Sequence, residues 1–154
     1  MSIKIGQKIS EFSLPMTGDQ VFNPRDYEGK KIILYFYPKD NTPGCRQESQ
    51  DFTQAYETLI AANTVVFGVS RDSISSHEKF KAKYDMPFEL ISDPDEKLCQ
   101  YFDVIKEKSM FGKHYMGLER STFVLDEQGV LVGQWRKVKV KDHVNQVLEF
   151  IQSK

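Results

Sequence analysis

The sequence predicts an α/β fold in which a mixed β-sheet is flanked by helices, and three observations support this prediction. Two short apolar runs, KIILYFYP (Lys31–Pro38) and TVVFGVS (Thr64–Ser70), are typical of strands buried on both faces. Between them, apolar residues recur at three- and four-residue spacing, which predicts an amphipathic helix from Cys45 to about Ala62. The order strand, helix, strand then predicts a right-handed βαβ unit with parallel strands.

The other elements follow from the same kinds of pattern. Before the first buried strand, EFSLPMTGDQVFNP predicts a small N-terminal β-hairpin that turns at Gly18. Beyond the βαβ unit the pattern predicts, in order, a helix at Ile74–Tyr84, a strand at Phe88–Ser92, a helix capped by Ser92 and Asp93, a hairpin around Gly129 and a last helix at Lys141–Gln152. Together these elements predict a thioredoxin-like α/β sandwich, a fold that does not by itself determine function.

Length and composition restrict the possible classes of protein. The 154 residues fit one globular domain covering residues 1–154, and a hydrophobic fraction of 40% allows a sizeable core. A formal net charge of −1 argues against a nucleic-acid-binding protein, which is normally basic. The longest apolar run, Ile32–Tyr37, is too short to span a membrane. The N-terminal segment shows no signal-peptide pattern, so we expect a cytoplasmic location.

Two polar segments each allow two interpretations. The basic segment Arg136–His143 alternates valines with lysines, which favours a solvated strand end over an anion or partner site. The segment Lys106–Gly117 contains glycines, methionines and aromatic residues without periodicity, so we expect a long connecting loop. Because a loop of that length in a small domain is often functional, a lid or substrate rim is the alternative.

Two cysteines in a chain of this size, without a secretory signal, do not predict a disulfide scaffold. The three histidines, His77, His114 and His143, do not show the spacing of metal ligands, and we expect them to be exposed to solvent. No metal site and no cofactor is therefore predicted.

Cys45, in the segment YFYPKDNTPGC, follows a buried strand and opens a helix. Pro43 and Gly44 allow the sharp turn between the two elements. The sulfur then lies beside first-turn N–H groups that have no intrahelical partner, and these groups and the helix dipole favour a thiolate. Position alone leaves open that Cys45 is inert.

The neighbours of Cys45 favour a reactive thiolate. Thr42 lies three residues earlier, where its hydroxyl can turn toward the sulfur or a bound ligand, and Pro38 can shield the site from water. Arg120, just before an apolar strand, can supply a guanidinium, although a surface ion pair is the alternative for it. A thiolate surrounded by such donors suits attack on an O–O bond, because the donors stabilise the departing oxygen anion.

The segment LYFYPKDNTPGC, followed by RQESQDF, resembles the active-site segment of the peroxiredoxin family, with Pro38, Thr42 and Cys45 matching its motif P-x-x-x-T-x-x-C. Four segments in the family's order are similar to its peroxiredoxin Q group, also called the bacterioferritin comigratory protein group: DYEGKKIILYFYPKD, VFGVSRDS, LISDPDEKLCQYFDVIKEKSMFGK and GLERSTFVLDEQG. The resemblance covers nearly the whole chain and implies a thiol-dependent peroxidase with a thioredoxin-like fold.

The resemblance also implies a function for each matching residue. Cys45 matches the peroxidatic cysteine, which becomes a sulfenic acid, and Thr42 matches the threonine that hydrogen-bonds peroxide. Pro38 matches the shielding proline, and Arg120 matches the arginine that activates the thiolate and stabilises the transition state. Glu48 matches a glutamate that helps to orient the arginine; a solvated first-turn acid is the alternative for it.

The chain departs from the family pattern at the resolving cysteine. Members of the group carry it five residues after the peroxidatic cysteine or on the following helix, and these positions are Gln50 and about Lys81 here. The other thiol, Cys99, is expected to be a buried core cysteine. A Cys45–Cys99 disulfide, which requires Cα atoms within roughly 7 Å, is left open as a product of local unfolding.

We therefore expect a monomeric thiol peroxidase with a one-cysteine cycle. Cys45 would reduce hydrogen peroxide or an organic hydroperoxide, and an external thiol such as thioredoxin, glutaredoxin or glutathione would resolve the sulfenic acid. The alternatives are a peroxide sensor or redox relay and an atypical two-cysteine cycle through Cys99. A disulfide reductase needs a dithiol, and Thr42 in place of a second cysteine argues against it.

Overall fold

The computed structural model describes residues 2–153, which contain nine strands, four α-helices and a short 3-10 helix at Pro24–Tyr27. The strands are β1 (Leu14–Met16), β2 (Gln20–Phe22), β3 (Lys31–Phe36), β4 (Thr64–Ser70), β5 (Leu90–Ser92), β6 (Ile105–Met110), β7 (Lys113–Leu118), β8 (Ser121–Leu125) and β9 (Leu131–Trp135). The helices are α1 (Pro43–Ala61), α2 (Ile74–Lys83), α3 (Lys97–Tyr101) and α4 (His143–Gln152).

A seven-stranded mixed sheet, in the order β2-β1-β5-β4-β3-β8-β9, forms the centre of the fold. β3, β4 and β5 run parallel, whereas β8 pairs antiparallel with β3 and β9, and β1 pairs antiparallel with β2 and β5. β3 and β4 are almost entirely buried, which explains their continuous apolar runs. The mixed sheet with helices on both faces confirms the predicted fold class.

The sheet separates two hydrophobic cores, and the alternating side chains of β3 contribute to both. Leu34 belongs to the core that contains Cys99 and the buried residues of α3. Tyr35 belongs to the other core, which contains Cys45 and the buried sides of α1, α2 and α4. The two cysteines are both free, and they lie on opposite faces of the sheet.

The segment Lys106–Gly117 lies in a β-hairpin, so its prediction as a connecting loop is wrong. β6 and β7 pair antiparallel through a turn at Phe111 and Gly112, whose φ angles are 53° and 76°. Such a two-residue turn is usually Asn-Gly or Asp-Gly, and Phe-Gly is a weak signal for it. Most of the hairpin is exposed, so its strands do not need alternating apolar residues.

The basic segment Arg136–His143 links β9 to α4. Its lysines are exposed, as expected for a solvated segment. The guanidinium of Arg136, in contrast to the lysines, is held by the protein: Nη1 donates to the backbone carbonyl of Asp103 and Nη2 to that of Phe102, each at 2.9 Å.

None of the helices in the described part of the chain combines the length and hydrophobicity that crossing a bilayer requires.

Candidate active site

The loop between β3 and α1 places Cys45 in the first turn of a helix. Thr42 is the N-cap residue of α1, and Pro43 opens the helix. Proline suits this position because the N–H that it lacks would be unpaired there. Cys45 is the third helical residue and is fully buried. Free N–H groups in a first turn stabilise negative charge, so the position favours a thiolate.

The hydroxyl of Thr42 donates a hydrogen bond to the carbonyl of Lys39 at 3.0 Å. This bond fixes the hydroxyl within the turn that follows Pro38, a half-buried residue. The hydroxyl is therefore bonded to the backbone rather than turned toward the sulfur. Its oxygen keeps lone pairs with which it can accept a hydrogen bond from a ligand.

Arg120 reaches Cys45 because β8 lies next to β3. Ser121 pairs with Phe36 in antiparallel register, so the residue before β8 lies beside the loop that follows β3. Nη2 of Arg120 donates to Sγ of Cys45 at 3.3 Å, and Nη1 donates to Oε1 of Glu48 at 2.7 Å. One guanidinium thus joins the thiol to the carboxylate.

Gly44 leaves the space that this guanidinium occupies. A Cβ atom at position 44 would lie 3.0 Å from Nη2 of Arg120 and 3.9 Å from a methyl group of Val140. The first distance is shorter than an ordinary van der Waals contact. A side chain at position 44 would therefore require the guanidinium to shift by a few tenths of an ångström.

Glu48 and Arg120 form a buried ion pair whose two members titrate differently. Burial raises the pKa of Glu48 to about 7, against the opposing effect of the Arg120 charge and hydrogen bond. Burial alone would lower the pKa of Arg120, but the charges of Glu48 and Cys45 raise it overall. The guanidinium therefore stays charged, while Glu48 changes its charge near neutral pH.

His143 is a residue of the site that the sequence did not indicate, and its predicted exposure is wrong. It begins α4 and is buried, with Nε2 2.8 Å from Oγ1 of Thr122 and 3.8 Å from Oε2 of Glu48. Oε2 has no hydrogen-bond partner within residues 2–153. Burial, and then the Arg120 charge, lower the pKa of His143 to about 4, so the ring is neutral at neutral pH.

His77 is also buried, contrary to the prediction. Its ring lies with the carboxylates of Asp40 and Asp72 in a group of potential metal ligands whose atoms are within 4.8 Å of one another. Both ring nitrogens are already engaged, Nδ1 with Asp40 at 2.7 Å and Nε2 with the carbonyl of Ile91 at 2.9 Å. The ring therefore has no free nitrogen to offer a metal ion.

Cys99 lies on α3, on the opposite face of the sheet from Cys45. Burial raises the pKa of the Cys99 thiol well above its usual range, and the nearby carboxylate of Asp93 raises it further. A thiol held in the protonated form is a poor nucleophile. The folded structure therefore does not bring Cys99 into the site.

The chain is similar to known proteins over most of its length. Residues 5–134 match the AhpC/TSA family. The protein "Peroxiredoxin Bcp" of Bacillus subtilis is 50% identical over 149 residues, which are 97% of this chain and 95% of that protein. The structure of Xanthomonas campestris Peroxiredoxin Q has a TM-score of 0.89 at 46% identity and covers 92% of this chain and 90% of that chain.

A structure of the X. campestris bacterioferritin comigratory protein, determined to explain its alkyl peroxide reduction activity, has a TM-score of 0.89 at 45% identity and covers 92% of this chain and 90% of that one. These similarities extend over the fold, and the residues around Cys45 lie within the matched region. The chain therefore belongs to the AhpC/TSA family, in its peroxiredoxin Q and Bcp group, and is a thiol-dependent peroxidase.

Proposed function

We propose that Cys45 is the peroxidatic residue of this peroxidase and works in a one-cysteine cycle. The observation that carries the proposal is the Arg120 guanidinium, 3.3 Å from Sγ of Cys45 and 2.7 Å from Glu48. A fixed cation at this distance favours the thiolate, and it also stabilises the charge that develops on a departing oxygen.

In the first half-reaction, the Cys45 thiolate attacks one oxygen of the peroxide and the O–O bond breaks. The sulfur becomes a sulfenic acid, and the other oxygen leaves as an anion that takes up a proton to give water or an alcohol. Arg120 stabilises this anion, and Glu48 orients the guanidinium. Thr42 accepts a hydrogen bond from the peroxide, and Pro38 shields the sulfur from water.

We infer that the substrates are hydrogen peroxide and organic hydroperoxides. The alkyl peroxide reduction activity of the X. campestris protein supports the second class. The site holds a sulfur nucleophile and hydrogen-bond donors that can stabilise a departing oxygen anion, and these groups can act on the O–O bond of either class. The monomeric state, the cytoplasmic location and the single domain of residues 1–154 stay predictions from the sequence.

In the second half-reaction, a thiol from outside the chain resolves the sulfenic acid. Gln50, at one usual resolving position, is exposed, and Lys81, near the other, pairs with Glu89 at 2.8 Å. An external thiol, from thioredoxin, glutaredoxin or glutathione, attacks the sulfenic sulfur of Cys45 and releases water. A second thiol then reduces the mixed disulfide and restores Cys45.

The test is steady-state peroxide consumption by the wild type, Cys45→Ser and Cys99→Ser with each of the three thiol reductants. We expect Cys99→Ser to keep wild-type turnover and Cys45→Ser to have none. Activity in Cys45→Ser would refute the assignment of the reactive thiol. Loss of turnover in a folded Cys99→Ser would refute the one-cysteine cycle. A single oxidation without turnover on any reductant would favour the peroxide sensor instead.

A further inference from the structure

The basic segment between β9 and α4 lies against the active site, and the reaction steps described above do not use it. The backbone N–H of Val138 donates to the carbonyl of Arg120 at 3.0 Å. A Cβ atom at Gly44 would lie 3.9 Å from a methyl group of Val140. Both valines are half-buried, whereas Lys139 between them is exposed. The segment therefore runs beside Arg120 and the first turn of α1, and Lys139 is open to solvent there.

Two further cations come from the segment that carries Cys45. Lys39 is exposed, and its carbonyl accepts the hydrogen bond of the Thr42 hydroxyl at 3.0 Å, so it lies in the turn that leads into α1. Arg46 follows Cys45 in the first turns of α1 and is half-buried. Within residues 2–153, no hydrogen bond or ion pair engages the side chain of Lys39, Arg46 or Lys139. Their charges are therefore available to a ligand of the site.

Positive charge is concentrated around Cys45. Three segments form its surroundings: residues 37–48 of the loop and the first turns of α1, residues 119–120 before β8, and residues 136–143 after β9. These segments contain seven lysine and arginine side chains and four carboxylates, whereas the whole chain has a formal net charge of −1. The excess remains when Arg120 and Glu48, which neutralise each other, are set aside. The surroundings of the site therefore attract anions.

The two half-reactions differ in the charge of the molecule that arrives. Hydrogen peroxide is neutral, so distant charges attract it little. The resolving thiol reacts as a thiolate: its sulfur forms a bond to the sulfur of Cys45, the S–O bond of the sulfenic acid breaks, and the departing hydroxide takes up a proton to give water. An excess of positive charge raises the local concentration of such an anion. The charged surroundings therefore act on the resolving step.

We propose that Lys39, Arg46 and Lys139 make the site selective for an anionic resolving thiol, a small thiol that carries carboxylate groups. The proposal rests on the function proposed for Cys45 and selects among the external thiols which that function allows. The two lysines attract the thiol. The guanidinium of Arg46, next to the reacting residue in the chain, binds a carboxylate, for which its planar N–H groups are suited. Glutathione, with two carboxylates and one ammonium group, has this character.

The selectivity is tested on the intact protein with three thiols of different charge. Glutathione carries a net negative charge at pH 7, 2-mercaptoethanol is neutral and cysteamine carries a positive charge. The protein is oxidised with one equivalent of hydrogen peroxide and then mixed with an excess of one thiol. Mass spectrometry of quenched samples gives the rate constant for loss of the Cys45 sulfenic acid. The wild type and each variant are compared for the same thiol, which cancels the intrinsic reactivity of that thiol.

We expect Lys139→Glu to slow the reaction with glutathione about threefold to tenfold, because attraction of the anion is replaced by repulsion across water and salt. The loss should be smaller for 2-mercaptoethanol, whose thiolate carries one charge, and smallest for cysteamine, whose ammonium group offsets that charge. Salt at about 0.5 M should reduce the loss with glutathione. Equal losses with all three thiols would show an effect on the sulfur itself and overturn the proposal, as would wild-type rate constants.

The matched control is Lys30→Glu, which makes the same change in net charge. Lys30 is exposed and directly precedes β3, whose six residues place it about 20 Å from the loop of the site, about twice the screening length at 0.1 M salt. It should react at the wild-type rate with every thiol, and a graded loss like that of Lys139→Glu would overturn the proposal. Arg46→Gln is the second variant and should show the same order of losses among the thiols; an equal loss for all three, or none, would count against the selectivity.

The outcomes separate this proposal from the proposed function. If one equivalent of peroxide gives a Cys45–Cys99 disulfide, or leaves Cys45 unoxidised, the proposed function fails. If the sulfenic acid forms and every thiol resolves it with no dependence on charge, only the selectivity fails.

Discussion

The guanidinium of Arg120 donates hydrogen bonds to two different acceptors, the sulfur of Cys45 and the carboxylate of Glu48. The planar arrangement of its N–H groups makes this possible, since two of its nitrogens point at separate acceptors. The buried carboxylate fixes the arginine, and the arginine in turn lies against the sulfur. At the residue scale, the site therefore consists of a buried thiol and a buried carboxylate that one largely buried guanidinium connects.

Arg120→Lys is expected to lower the rate of Cys45 oxidation by hydrogen peroxide by about 10²–10³-fold, the cost of removing one oxyanion donor. One ammonium group cannot contact the sulfur and Glu48 in the geometry of the guanidinium. Stopped-flow measurement of the oxidation rate checks this. The control variant is Arg25→Lys, because Arg25 is exposed and pairs with Glu11, and it should react at the wild-type rate. A wild-type rate in Arg120→Lys would contradict the function proposed for the guanidinium.

Gly44→Ala is expected to slow the oxidation of Cys45 without loss of stability. The added methyl would lie 3.0 Å from Nη2 of Arg120 and displace the guanidinium from the sulfur. Alanine stabilises a helix by up to about 1 kcal/mol relative to glycine, so α1 should be retained. Urea unfolding and the oxidation rate are measured on the same sample. An unchanged rate would show that the arginine does not need this space.

At the scale of elements, α3 shows how a buried acid organises a short helix. The carboxylate of Asp93 accepts the backbone N–H groups of Lys97 at 2.9 Å and Cys99 at 2.8 Å. The N-cap residue of α3 is Glu96, so the prediction that Ser92 and Asp93 occupy this position is wrong, although Asp93 does supply the acceptors for the first-turn N–H groups. Ser92 lies in β5 and donates to the carbonyl of Asp72. The cap acts across a turn, which local spacing does not reveal.

Asp93→Ala is expected to lower the free energy of unfolding by about 1–2 kcal/mol, because two backbone N–H groups, of which that of Cys99 is buried, lose their acceptor. Its peroxidase turnover should stay at the wild-type level, since α3 lies on the opposite face of the sheet from Cys45. Urea denaturation and turnover are measured for this variant and for Asp95→Ala, whose side chain is exposed. Equal stabilities of the two variants would contradict the cap.

The elements that could be predicted are those with local signals. The apolar runs of β3 and β4 and the spacing of α1 reflect burial directly, so these elements were found within a few residues. The hairpin of β6 and β7 has little buried surface and an unusual turn, and its strands gave no such signal. Prediction therefore failed where the surroundings, rather than the segment itself, determine the structure.

At the scale of the whole molecule, the site depends on contacts between distant elements. Sequence resemblance pointed to Cys45, Arg120 and Glu48, but the register of β8 against β3 is what brings the arginine to the sulfur. His143 and His77 had no motif, because the packing of α4 and α2 places them. Such residues can be found only once the tertiary structure is known.

The ionisation of Glu48 is expected to make stability depend on pH. Its pKa is about 7 in the folded protein, against 4.5 for a free carboxyl. Between these values the folded state holds a proton that the unfolded chain has lost, so the free energy of unfolding falls as pH rises. The lowered pKa of His143 acts in the opposite sense from about 4 to 6.5, an interval that overlaps that of Glu48, so the effect of Glu48 is measured as the difference between the wild type and a Glu48 variant.

The Glu48→Gln variant removes this dependence, and its free energy of unfolding relative to the wild type should rise by about 3 kcal/mol across the interval. Urea denaturation of both proteins at several pH values from about 4 to 8 measures the difference. Parallel pH profiles would contradict the raised pKa of Glu48.

The central claim is that a single thiol, Cys45, carries the reaction with peroxide. The most direct test is mass spectrometry of the protein after one equivalent of hydrogen peroxide, with and without the sulfenic-acid trap dimedone. We predict one dimedone adduct on Cys45 while Cys99 stays a free thiol. A Cys45–Cys99 disulfide would contradict the one-cysteine cycle, and an unmodified Cys45 beside unconsumed peroxide would contradict its function as the peroxidatic residue.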